Sequence, residues 1–147
     1  MYPKLIWLIS FLVIQIYAQP TKREKAISQY KELIISMTKA AQELNRSLES
    51  ASTAKIAASA MDRFTEKMTN YQVRLAQLDE ENPELEAEVT PVELSQSLIE
   101  LENSMRKLAE TMAHAGERFG TDVSFQEAAT RMAQSLSGEN EEDYYEE

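Results

Sequence analysis

Between residues 24 and 49 the apolar side chains fall at Ile27, Tyr30, Ile34, Met37, Ala41, Leu44 and Leu48, in steps of 3, 4, 3, 4, 3 and 4. That alternation gathers them on one stripe of an α-helix, whereas a strand would send successive side chains to opposite faces. Leu33 and Ala40 widen the stripe towards a bundle face. A second seam runs through Ala57, Met61, Phe64, Met68, Tyr71, Leu75 and Leu78. A third runs through Leu94, Leu98, Leu101, Met105, Leu108, Met112, Ala115 and Phe119. Each is an apolar strip too long to stand exposed, so the seams must cover one another. The expected fold is all-α, an antiparallel helical bundle of three long heptad-patterned helices plus one short C-terminal helix that serves as a lid or cap. The connection between the first two helices is short, which favours pairing within one chain over a homo-oligomeric coiled coil. A core this small still leaves a homodimer open.

Capping residues place the helix ends. Residues 50–53, SAST, offer an N-cap for the second helix. Thr90, Pro91 and Glu93 read as N-cap, first helical residue and capping-box acid for the third. Gly120 is its natural stop, with Gly116 an alternative one turn earlier. Ser124 and Glu127 suggest a further capping box, followed by a short helix with Phe125, Ala129, Met132 and Leu136 on one face. Only 3 Gly and 4 Pro interrupt a chain of 147 residues, which agrees with a helical reading.

The N-terminus has the three-part plan of a secretory signal. Lys4 is the positive end, residues 5–17 are an apolar run, and Ala18 before Gln19 is the expected cleavage point. The run is short of the roughly 20 residues a membrane span needs. Ile16, at the −3 position, is bulky for a processing site and keeps a retained N-terminal anchor open as the alternative. Residues 1–18 are therefore read as signal peptide, 19–23 as a short N-terminal segment, 24–137 as the helical domain and 138–147 as an acidic tail. The localisation expected is secreted or periplasmic, with no stable membrane span once the signal is removed.

The formal charge of −10 is concentrated. Residues 79–93 and 139–147 together hold 13 of the 25 acidic residues and no base, so the remaining body is nearly neutral. Both stretches read as solvated, the first as an interhelix loop over 79–92 and the second as a disordered tail. Nucleic-acid binding is disfavoured, because no face gathers enough base to meet phosphates. Residues 21–25, TKREK, form the one dense basic cluster; it reads as a solvated helix start, with contact to anionic lipid or to the acidic loop as alternatives.

No cysteine is present, which excludes disulfides, thiolate metal sites, cysteine nucleophiles and covalent haem attachment. The lone His114 falls about 130° from the third seam and shares the outer face with Glu110 and Glu117, a poor position for a core ligand. The Glu-x-x-His spacing of bundle di-iron sites fails as well, because residue 111 is Thr. Met37, Met61, Met68, Met105, Met112 and Met132 all fall on apolar faces, where core filling accounts for them and a thioether metal or haem site is the rival. No cofactor, metal or catalytic residue is assigned, and the chain is read as a non-enzyme. Met61, Met68, Met105 and Met112 form the candidate partner-binding core, since methionines tolerate repacking around apolar segments. Asn45 opens the sequon NRS, and Tyr144 and Tyr145 sit among acids as at a sulfation site or docking peptide.

Residues 50–61, SASTAKIAASAM, resemble the second-helix opening of b-type cytochrome bundles, with Met37 upstream. That family takes its histidine from the core face of its last helix, whereas His114 lies on the third and points outward. Across residues 34–136, the LESAS…AASAM opening and methionine-rich third helix are similar to small uncharacterised exported bacterial helical proteins. That resemblance implies export and an all-helical fold and carries no activity. The functional expectation is an exported structural or protein-interaction module with an unknown protein partner. A methionine-rich chaperone-like binder is the alternative, and a haem- or metal-binding bundle a more distant one.

Overall fold

The first described helix opens on a reciprocal cap. In the computed structural model, which describes residues 21–86 and 91–137, Thr21 Oγ1 accepts from the Glu24 amide at 3.1 Å. Glu24 Oε2 in turn accepts from the Thr21 amide at 2.7 Å, which satisfies two N–H groups a helix start leaves unpaired. This capping box carries α1 over Lys22–Ser50, two residues earlier than its apolar pattern begins. Thr53 caps α2, Ala54–Glu81, by accepting from the Ile56 amide. A four-residue α3, Pro83–Glu86, follows, then α4, Val92–Phe119, and α5, Val123–Ser137. The described residues contain no strand. The signal sequence with its Ala18–Gln19 junction, Thr90, and the tail with Tyr144 and Tyr145 lie outside them.

Three starts and stops differ from the sequence reading. Pro91 is the N-cap of α4 rather than its first helical residue, and it makes no side-chain cap. Glu93 instead receives Arg23 Nη1 at 2.9 Å, so the basic entry of α1 does touch the acidic stretch. Arg23 holds the Glu93 carboxyl below the usual carboxylate range. Asp122, not Ser124, caps α5: its Oδ1 accepts from the Ser124 amide at 2.9 Å and from the Ser124 hydroxyl at 2.5 Å. Those Ser124 hydrogen bonds, with one from the Phe125 amide, lower the Asp122 pKa. Gly116 lies inside α4, and its carbonyl accepts from the amide of Gly120, the residue that closes the helix.

The acidic connection is more ordered than its charge suggests. α2 continues through Asp79 to Glu81 because Asp79 Oδ1 accepts from the Tyr30 hydroxyl of α1 at 2.7 Å. Asn82, 4 % exposed, returns Nδ2 to the Leu78 carbonyl, and Leu85 of α3 is buried. The expected loop over 79–92 therefore includes a helix end and a further helical turn packed on the core.

Two apolar clusters fill the interior. One gathers Leu44, Leu48, Met61, Phe64, Met68, Leu108, Ala115 and the α5 residues Phe125, Ala128 and Met132. The other holds Ile27, Tyr30, Leu33, Ile34, Leu78, Leu85 and Leu94. Met37 and Tyr71 pack against both and join them. Partner residues fix the packing. Tyr30 meets Asp79 and Glu43 meets Lys67 between α1 and α2; Gln42 meets Ser104 and Glu49 meets Lys107 between α1 and α4. α5 rests on α2 through Arg131–Asp62 and Ser135–Thr69. On α5 the buried face is Phe125, Ala128 and Met132, while Leu136, expected inside, is exposed.

The turn between α1 and α2 has no glycine to fold back over the last carbonyls, and α4 supplies the cap instead. Arg118 Nη1 donates to the Leu48 carbonyl at 3.3 Å and Nη2 to the Ala51 carbonyl, with the guanidinium lying over the Phe119 ring. A cation at a helix C-terminus also meets the negative end of its dipole. Arg118→Ala should destabilise the chain by about 1–2 kcal/mol, measured by chemical denaturation, because it removes charged hydrogen bonds to two carbonyls. An unchanged midpoint would mean that water replaces the guanidinium there without loss.

Candidate interaction surface

The third seam divides when it packs. Four residues spaced by seven, Ser97, Ser104, Thr111 and Arg118, lie on the side of α4 that faces α1. Ser97 and Thr111 are buried, Ser104 hydrogen-bonds Gln42, and Arg118 caps α1. The small side chains let the two helices approach closely. Leu94, Leu108 and Ala115 are buried beside them. The larger column one residue on, Leu98, Met105, Met112 and Phe119, is only half-buried. A heptad count based on apolarity alone puts both columns at the core.

α4 has its extensive helix contacts with α1, and α5 with α2. The Leu98–Met105–Met112–Phe119 column therefore borders the space between these two pairs. Phe119 crosses it to Phe125, ring centroids 6.0 Å apart. Beyond the end of α5, Tyr71 and Leu75 of α2 are half-buried as well. The surface is apolar, ridged and supported by rigid helices.

The four methionines singled out in the sequence separate into two kinds. Met61 and Met68 are enclosed, at 0 % and 4 % exposure, and act as filling. Met105 and Met112 sit at the rim with part of their thioethers in reach of a partner. His114 points outward, with Nδ1 3.5 Å from Glu117 Oε2 and both side chains mostly exposed. Among the described residues no three histidine, aspartate or glutamate side chains come together as a metal site would need. No described helix is long and apolar enough to cross a membrane.

Asn45 lies where sequence reasoning did not put it. The sequon amide is 4 % exposed, too enclosed in the folded chain to carry a glycan. It lines an open cleft between α1 and α4 with Gln42, Arg46, Asn103, Ser104 and Lys107, about 490 Å³ in volume. Its Oδ1 is buried without a hydrogen-bond partner. The only sequence signal for this was a polar residue between Leu44 and Leu48, inside the apolar stripe.

No protein-family model matches the sequence, and no curated protein or solved structure matches it.

Proposed function

We propose that the chain is an exported, non-enzymatic interaction protein, an antiparallel heptad-patterned helical bundle that presents a methionine-bearing ridge to apolar segments of a partner protein. The observation that carries this reading is the half-covered column Leu98, Met105, Met112 and Phe119. Two of its four members are methionines, whose unbranched, polarisable side chains adapt to varied apolar shapes. Partner numbers that descend along α2 as they rise along α1 support the antiparallel pairing. Export follows from the N-terminal run before Ala18, and it would deliver the ridge to the cell envelope or the secreted space.

The test is suppression of aggregation of an unfolded client by the purified chain, followed by light scattering. Met105→Glu with Met112→Glu should abolish suppression, since charges on the ridge repel apolar segments, while helix content is kept. Met61→Leu with Met68→Leu should leave suppression intact, because both side chains are core filling. Equal loss in the two pairs would point to core opening rather than a preformed ridge. No suppression by the unmodified chain would remove the reading. Mass spectrometry of exported protein checks cleavage after Ala18 separately.

A further inference from the structure

We propose that the cleft between α1 and α4 binds a small hydroxylated anion. Two observations converge on it. Asn45 Oδ1 is a buried carbonyl acceptor without a donor, a state that costs about 1–3 kcal/mol when nothing fills it. The cleft is lined by donors: the Gln42 and Asn103 amides, the Ser104 hydroxyl, the Arg46 guanidinium and the Lys107 ammonium, with no carboxylate among the lining groups. Glu49 stands behind the rim, 3.5 Å from Lys107 Nζ, and Gln42 Nε2 donates to Ser104 Oγ at 3.4 Å.

This chemistry narrows the ligand class. A metal ion would satisfy Asn45 Oδ1 but would be repelled by Arg46 and Lys107. A bare anion would suit the two cations and still leave the Asn45 carbonyl unpaired. A ligand ammonium would supply the donor at the cost of a third positive charge. A neutral hydroxyl beside a carboxylate or phosphate meets both demands: the hydroxyl donates to Asn45 Oδ1, and the anionic group reaches Arg46 and Lys107. The volume suits a sugar acid or a glycerol-sized phosphate. An open cleft implies modest affinity, with Kd of about 0.1–1 mM. Nothing in the ridge on the other side of α4 enters this inference.

Backbone-amide NMR titration of the purified chain tests it, with glucuronate and glycerol phosphate as the carboxylate and phosphate probes. Glucose supplies hydroxyls without charge, and acetate and sulfate supply charge without a hydroxyl donor. Saturable shifts at residues around Asn45 and Ser104 are expected with one or both hydroxylated anions, and the stronger of the two identifies the acid group. Asn45→Ala should weaken binding at least about tenfold and melt no lower than the parent, since it removes an unpaired buried group. Arg46→Gln with Lys107→Gln, both on the surface, should weaken binding similarly and keep the fold even if Asn45→Ala does not. The proposal is overturned if neither probe binds below about 10 mM, which would leave water as the occupant. It is equally overturned if acetate or sulfate binds as well as the hydroxylated probes, or if the variants bind like the parent.

Discussion

Phe64→Ala should destabilise the chain by about 3–5 kcal/mol, a large share of the 5–15 kcal/mol typical of a small domain. Phe64 is 2 % exposed in the middle of α2 and belongs to the cluster that joins α1, α2, α4 and α5. It shares a narrow crevice with Ala40, Leu44 and Ala60, and the Glu43–Lys67 pair closes the rim at 2.7 Å. Alanines on α1 and α2 bring the backbones close, and the aromatic ring fills the space that their small side chains leave. Long rigid helices cannot collapse locally into the void, so the substitution should keep most of its cavity cost. Chemical denaturation followed by far-UV circular dichroism would measure it. A loss below about 1 kcal/mol would mean that the helices repack around the gap and that the interior is more plastic than its packing indicates.

The positions that carry this effect were readable because they are covered from more than one side. Along α1 and along the first half of α2 every seam residue except Met37 is buried, so counting threes and fours found the core. On α4 the same count found only half of it. Apolarity marks which residues prefer to leave water, whereas the distance between two helices is set by the smallest residues on the facing column. Here those are Ser97, Ser104 and Thr111, which a hydrophobic pattern scores as surface. The choice of Ser124 over Asp122 has a similar origin. A Ser-x-x-Glu spelling suggested a box, but Asp122 reaches the second and third amides of α5 from one position earlier. Thr21 and Glu24 spelled the same motif at the head of α1 and were passed over because the apolar run starts later. The burial of Asn45 depends on α4 crossing at that level of α1, a tertiary fact that no local motif encodes. The division of Met61 and Met68 from Met105 and Met112 likewise follows from which helix pairs closely with which.

That pairing makes a second strong prediction. Ala128→Leu should detach α5 from α2 and cost about 1–3 kcal/mol, with the loss concentrated in residues 123–137. Ala128 is 0 % exposed at the centre of the buried face of α5, between Phe125 and Met132. A leucine there must displace α2 or lift its own helix. The polar contacts at the edges cannot hold α5 down. The Arg131 guanidinium grips Asp62 with both carboxylate oxygens, at 2.9 and 3.0 Å, but both side chains are about half exposed. An exposed pair contributes about 0–1 kcal/mol, and Ser135 to Thr69 adds a single surface hydrogen bond. Fifteen residues are too few to stay helical in water without packing, so α5 should fray as it lifts. Native-state hydrogen exchange would show protection lost across α5 and retained at Leu48, Met61 and Leu78. Arg131→Ala, by contrast, should leave α5 protected. Protection lost evenly over all helices would show that α5 is an integral part of one cooperative core. Loss confined to α5 would establish it as a lid, and its lifting would uncover the rest of the Met105–Met112 ridge from the Phe125 side.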